Sequence, residues 1–153
     1  MSLHAIDVEI EAGNWSEIAD VEAVVTRAAV AALGDAGGAV TILLTDDAAQ
    51  GELNARFRGR DRATNVLSFP APESARPHLG DVSLAWETCR AEAEAQGKAA
   101  ADHLSHLVVH ALLHLLGRDH VDDAEAEAME AEERTILAGL GIPDPYRAEA
   151  NQT

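Results

Sequence analysis

From Leu107 to Leu116 the chain reads Leu-Val-Val-His-Ala-Leu-Leu-His-Leu-Leu, and almost every residue other than the two histidines is large and apolar. A helix apolar around its whole circumference has no face to give to water, so this segment must form the buried centre of the fold. The apolar spacing predicts a helix over 99–116, and Gly117 suits its C-terminal turn. Whatever else the chain builds has to wrap this element.

The elements available to do so follow from periodicity. Ile6, Val8 and Ile10 alternate with Asp7, Glu9 and Glu11, as in a half-buried strand. Ile18, Val21, Val24, Val25, Ala28, Ala29, Ala32 and Leu33 repeat at helical spacing over 16–33, with Asn14 or Ser16 as the expected cap and Gly34 as the end. Residues 39–45 read as a buried strand. A short helix capped by Asp46 or Asp47 runs to about Phe57. Residues 58–64 form an arginine-rich loop, and 65–69 a third strand stopped by Pro70 and Pro72. Residues 70–79 are expected to be irregular, and 80–86 to form a fourth strand. Helices are expected over 87–96 and 123–138, the last with Asp122 and Glu125 at capping-box spacing. The order β-α-β-α-β-β-α-α-α implies one α+β (α/β-like) domain, with a small mixed four-stranded sheet packed by about five helices. The domain is expected over 1–141, with 142–153 as a C-terminal tail.

The 153 residues suit one domain, and 47% hydrophobic content supports a core. Only 3% are aromatic, so Ala, Leu, Val and Ile must fill it. No window approaches 18 consecutive apolar residues, and the N-terminus has no basic region followed by an apolar run. The single Cys89 precludes an internal disulfide and fits a reducing compartment. These features imply a soluble, cytoplasmic protein with no membrane partner, and a monomer is expected.

The formal net charge of -16 argues against nonspecific binding to nucleic acid. Its distribution argues differently. Residues 122–133 hold seven acids and residues 7–22 six more, while Arg56, Arg58, Arg60 and Arg62 place four of the eleven basic residues within seven positions. An anionic substrate would be met there.

Residues 110–120 carry the chemistry. His110 and His114 lie one turn apart on one helix face, where two imidazoles can bind one metal ion. Gly117 lets the chain turn, and His120 can fold back as a third ligand. Three protein ligands leave a position for water, the pattern of catalytic zinc. Burial keeps the imidazoles neutral, as coordination requires. One Zn2+ per chain is expected on His110, His114 and His120. His103 and His106 are candidates for supporting contacts or for substrate. The spacing matches the metzincin peptidase pattern except that Ala111 stands where those enzymes carry their glutamate base, so the metal geometry survives without the peptidase base.

Several blocks resemble the YbeY family of metal-dependent endoribonucleases, which act in ribosomal RNA maturation. His110–His120 resembles its H-G-x-L-H-L-x-G-Y-D-H signature. Leu53-Asn54-Ala55-Arg56-Phe57-Arg58 and Thr64-Asn65-Val66-Leu67-Ser68-Phe69-Pro70 resemble L-N-x-x-Y-R and T-[DN]-V-L-S-F-P, and Leu79-Gly80-Asp81-Val82 resembles L-G-D-I. The segment Ala93-Glu94-Ala95-Gln96-Gly97 and the acidic last helix, with Met129 and Glu132, fit as well. The resemblance runs from about residue 40 to 140. Ala111 replaces the usual Gly, Phe57 the usual Tyr and Arg118 the usual Tyr; none of these changes removes a metal ligand.

The resemblance implies a zinc-dependent, single-strand-selective endoribonuclease acting in small-subunit rRNA 3′-end maturation and ribosome quality control. Its partner would be precursor rRNA, with small-subunit ribosomal proteins as further partners. His114 and Arg58 are the expected catalytic residues, Arg58 because it matches the arginine of the family block and can meet phosphoryl charge. Arg56, Arg60, Arg62 and Arg118 are expected to contact substrate. Asp119, Asp81 and Glu73 are candidates for a general base, and Ser68 for a substrate contact. The alternatives are a metallopeptidase and a ribosome-associated metal-binding protein without strong catalysis.

Overall fold

Strand β2 (Gly38–Thr45) is the axis of the sheet, because Val40, Ile42 and Leu44 leave it no exposed apolar face. The computed structural model describes residues 4–58, 64–118 and 122–146, apart from the side chain of Arg58. β1 (His4–Ile10) pairs with β2 in parallel, and β4 (His78–Ala85) pairs in parallel on its other side. β3 (Val66–Pro70) closes the far edge antiparallel to β4, giving the order β1-β2-β4-β3. Parallel neighbours need long crossovers, and the helices supply them.

Helix α1 (Val21–Leu33) packs on β1 and on α4 (Ala100–Leu115), and α4 crosses β3 and β4. α5 (Asp123–Gly139) and α3 (Trp86–Ala95) lie against α4. Thus α4 is enclosed by five elements, and Leu104, Val108, Val109, Leu112 and Leu113 are fully or almost fully buried. The expected α+β architecture of four mixed strands and five helices is the one observed. Among the described residues no helix is long and apolar enough to cross a membrane.

The second helix, α2 (Asp47–Arg58), is tied to the sheet by Gln50, whose Nε2 donates to the carbonyls of Ser83 (3.0 Å) and Thr64 (3.2 Å). Ser83 Oγ returns a bond to Gln50 Oε1 at 2.7 Å, so both buried polar groups are satisfied. Asp46 caps α2, its Oδ1 accepting from the Ala49 amide at 2.9 Å.

Three boundaries differ from the sequence expectation. α1 starts at Val21 rather than near residue 16. Trp15 is completely buried, edge-on to Trp86 at 5.1 Å, and donates from Nε1 to the Thr45 carbonyl at 3.0 Å. Reaching that pocket takes Trp15–Glu17 off the helix axis in a 3-10 turn, and Asp20 adopts a left-handed conformation (φ 51°) before α1 begins, so neither Asn14 nor Ser16 is its cap. β4 begins at His78, two residues early, because the Ala39 amide continues the ladder to the Pro77 carbonyl. Finally, Ile142 packs on the core and Tyr146 reaches α5, so the described part of the expected tail is folded against the domain; residues 147–153 lie outside the described residues.

Candidate active site

Each site residue on α4 is placed by that helix's near-total burial. His106, His110 and His114 follow at four-residue intervals and form one stripe. Their ring centroids are 6.4 Å (His106–His110) and 4.7 Å (His110–His114) apart. His110 Nε2 and His114 Nε2 face each other at 3.2 Å. Two nitrogens bound to one tetrahedral zinc at 2.0–2.1 Å stand about 3.3 Å apart, so the pair already has the spacing of two ligands. His110 Nδ1 lies 3.1 Å from Glu133 Oε2, and a proton held there leaves the Nε2 lone pair facing His114. This chemistry fits a metal held by neutral imidazole.

Beyond His114 the helix ends in a glycine turn. Gly117 takes a left-handed conformation (φ 95°), and the Arg118 amide bonds back to the Leu113 carbonyl at 2.9 Å. The turn redirects the chain just before Asp119 and His120. Those two residues, including the expected third ligand, lie outside the described residues. Among the described residues no cluster of three metal-binding side chains is present.

Glu133 was not anticipated from the sequence. It sits on the buried face of α5 between Met129 and Leu137, and is 1% exposed. Its Oε1 accepts from His106 Nε2 at 2.6 Å and from the Tyr146 hydroxyl at 2.8 Å. Burial opposes its charge, but the bonds from His106, His110 and Tyr146 outweigh burial and hold the carboxyl at about 2. The signal was available: Met129, Glu133 and Leu137 share one helix face at i, i+4 spacing, and a carboxylate inside an apolar stripe needs a partner.

His103, one turn before His106, is buried and bonds Glu92 Oε1 on α3 at 2.9 Å. Glu92 also accepts from Asn65 Nδ2 at 3.0 Å, joining the start of β3 to α3 and α4. Burial nevertheless keeps the His103 imidazole below its ordinary value, and its Nδ1 is a buried nitrogen with no bonding partner among the described residues.

The arginines divide. Arg56 is exposed on the last turn of α2, and Arg58 is that helix's final residue. Arg60, Arg62 and the Arg58 side chain lie outside the described residues. The end of α2 is nevertheless located: exposed Phe57 stacks edge-on against Phe69 of β3 at 5.5 Å. At Gly80, beside Phe69, a Cβ would come within 2.5 Å of the Phe69 carbonyl and 2.8 Å of Leu115, the residue after His114. Helix α2 therefore ends at the end of the sheet where α4 carries His114. Arg118 is engaged by Glu132, with Nε and Nη2 at 3.0 and 3.1 Å from its two oxygens, a bidentate pair that raises the guanidinium further. Of the candidate bases, Asp81 pairs with His78 at 3.2 Å and Glu73 lies in a 3-10 turn. Ser68 is half-buried in β3.

Comparison with known proteins places the chain. The family model described as Endoribonuclease YbeY matches residues 6–141. Endoribonuclease YbeY of Rhodopseudomonas palustris strain BisB18 is 52% identical over 154 residues, covering 93% of this chain and 92% of the relative. That of strain BisB5 is 50% identical over 161 residues, covering 95% and 83%. The solution structure of TM1509 from Thermotoga maritima shares the fold, with a TM-score of 0.57 at 23% identity over 89% of this chain and 91% of that one. With its histidine helix, its arginine segment and these relatives in agreement along nearly the whole sequence, the chain belongs to the YbeY endoribonuclease family.

Proposed function

We propose that this protein is a zinc-dependent, single-strand-selective endoribonuclease acting in maturation of the small-subunit rRNA 3′ end and in ribosome quality control. Membership of the family makes it an enzyme that cuts RNA phosphodiester bonds. The observation that carries the metal reading is the 3.2 Å apposition of His110 Nε2 and His114 Nε2. His110, His114 and His120 would hold one zinc ion, which when bound lowers the pKa of its water to about 7 and polarises a phosphoryl oxygen. His110 and His114 face each other from successive turns of α4. Arg58, leaving α2 at the same end of the sheet, meets the charge that develops on the phosphoryl oxygens. Arg56, Arg60 and Arg62 track the backbone, and Arg118, held by Glu132, flanks the site.

Asp7, Glu9 and Asp81 give one face of the sheet an exposed acidic surface. It suits basic protein partners such as those of the small ribosomal subunit in the cytoplasm. A peptidase reading lacks support, because Ala111 is completely buried and supplies no base.

The test compares wild type with His114→Ala. Zinc content is measured, and each protein is incubated with single-stranded RNA, with duplex RNA and with an unfolded protein. Wild type should hold one zinc and cut single-stranded RNA, and the variant should lose both. Proteolysis by the wild type, or RNA cleavage undiminished in a zinc-free variant, would overturn the reading.

A further inference from the structure

Three donors from two elements converge on one buried carboxylate. Glu133 accepts from His110 Nδ1 (3.1 Å), His106 Nε2 (2.6 Å) and the Tyr146 hydroxyl (2.8 Å), and is 1% exposed. Tyr146 belongs to the segment after α5. That segment has its own anchors: Lys98 Nζ donates to the Pro145 carbonyl at 2.7 Å, Asp144 pairs with Arg134 at 3.2 Å, and Asp144 Oδ1 accepts from the Tyr146 amide at 2.9 Å. Resting on the metal reading above, we propose that Glu133 is the positioning residue for His110, and that Tyr146 and His106 lock Glu133, so that docking of residues 142–146 sets the affinity of the metal centre.

A neutral imidazole carries one N–H. Held at Nδ1 by Glu133, it commits Nε2 to be the lone pair that faces His114, and it fixes the ring plane. Freed of Glu133, His110 populates the other tautomer and other rotamers, and each must be reversed before coordination. The carboxylate in turn could rotate about its own side chain, but His106 and Tyr146 occupy its second oxygen from two directions. Burial and the neighbouring carboxylate push the Tyr146 phenol well above its ordinary value, so it remains a donor at any working pH. The Tyr146 ring also stands edge-on to His106 at 5.4 Å, and Arg134 lies 5.3 Å from its centre. Removing the hydroxyl alone leaves those ring contacts in place.

The experiment uses the full chain stripped of metal. Zinc affinity is measured by competition with a chromophoric chelator, Co2+ is titrated for its visible absorption band, and the metal-free melting temperature is recorded. Glu133→Gln should weaken zinc binding by about 10- to 100-fold. Tyr146→Phe should weaken it by roughly two- to ten-fold, and the double variant should be no weaker than Glu133→Gln, because Tyr146 acts through Glu133. Wild-type affinity and an unchanged cobalt spectrum in both single variants would overturn the inference, even if their melting temperatures fall, since that is the outcome of a purely structural network. Should Glu133→Gln fail to fold, Tyr146→Phe and His106→Gln decide the matter on the same readouts. A wild type that binds neither metal overturns the metal reading and this inference together, whereas tight wild-type binding matched by the variants sinks the inference alone.

Discussion

Glu133 Oε2 and His110 Nδ1 stand 3.1 Å apart, joining α5 to α4 at the one histidine that also faces His114. The pair joins the most acidic helix of the chain to its most apolar one. Most of α5's acids are exposed or half-exposed, but Glu133 is turned inward, where its charge is matched by donors rather than by water. A buried charge is tolerated only when so matched. The inward carboxylate therefore serves the histidines, while on the outer side Glu132 pairs with Arg118 and Glu130 with Arg134.

A comparable link holds the helices that flank the sheet. Asp47 Oδ1 accepts from the Thr88 amide (3.0 Å) and Oδ2 from the Thr88 hydroxyl (2.9 Å), while Glu87 Oε1 accepts from the Asp47 amide (2.8 Å). Each helix start thus caps the other, and α3 has no cap from its own N-cap residue Ala85. Asp47→Ala should lower stability by about 1–2 kcal/mol. Urea unfolding checks this. Thr88→Ser should stay near wild type because it keeps the hydroxyl, and a loss as large as that of Asp47→Ala would show that packing, not capping, is responsible.

Gly80 marks where β3, β4 and α4 come closest. A methyl group there would meet the Phe69 carbonyl at 2.5 Å and Leu115 at 2.8 Å, on a backbone with φ 151°. Backbone cannot yield as a flexible side chain can, so Gly80→Ala should cost about 1–3 kcal/mol. The strain falls beside His114, so zinc affinity should weaken alongside stability. Thermal melts with and without zinc separate the two effects. An unchanged melt would mean that the strands shift freely at this point.

The central helix, its histidine stripe and the succession of strands and helices along the chain were legible in the sequence because each rests on local periodicity, whereas the sheet order β1-β2-β4-β3 was not. The boundary of α1 was not, because Trp15 leaves the helix to reach Trp86, 71 positions along the chain. Glu133 was hidden for a related reason: seven acids in twelve positions read as a solvated face, which masks the one that shares the stripe of Met129 and Leu137 and packs against α4. Tyr146 lies in a Pro-Asp-Pro-Tyr segment without periodicity, so nothing local announced its bond to Glu133. Contacts made between distant elements escape a reading built on spacing.

His103 predicts a pH dependence. Burial holds its imidazole below the ordinary value of 6.5; the bond and charge of Glu92 work the other way, and His106 and Lys98 lower it further. The folded chain therefore keeps His103 neutral while the unfolded chain takes up a proton near pH 6.5. Its contribution to stability is complete above that value and is lost as pH falls from there through the depressed folded value, with a slope of at most about 1.4 kcal/mol per pH unit. His103→Gln keeps a donor for Glu92 but cannot titrate. Denaturant unfolding between pH 7.5 and 5 should show wild type losing more stability than the variant; parallel profiles would remove His103 as the cause.

The arginine segment can be divided by kinetics. Arg58 is assigned to charge that develops in the transition state, so Arg58→Ala should lower the single-turnover rate of RNA cleavage by about 100-fold or more while zinc content stays at the wild-type level. Arg56, Arg60 and Arg62 are assigned to steering along the phosphate backbone. Each change to alanine should chiefly weaken RNA binding and should flatten the dependence of log affinity on log salt by about 0.7 for a single strand. Both quantities come from one set of measurements, cleavage rates at saturating RNA and binding across a salt series. The roles are reversed if Arg58→Ala changes only the salt slope. The assignment of Arg58 to the reaction fails if zinc is lost instead, because the arginine would then be supporting the histidine centre.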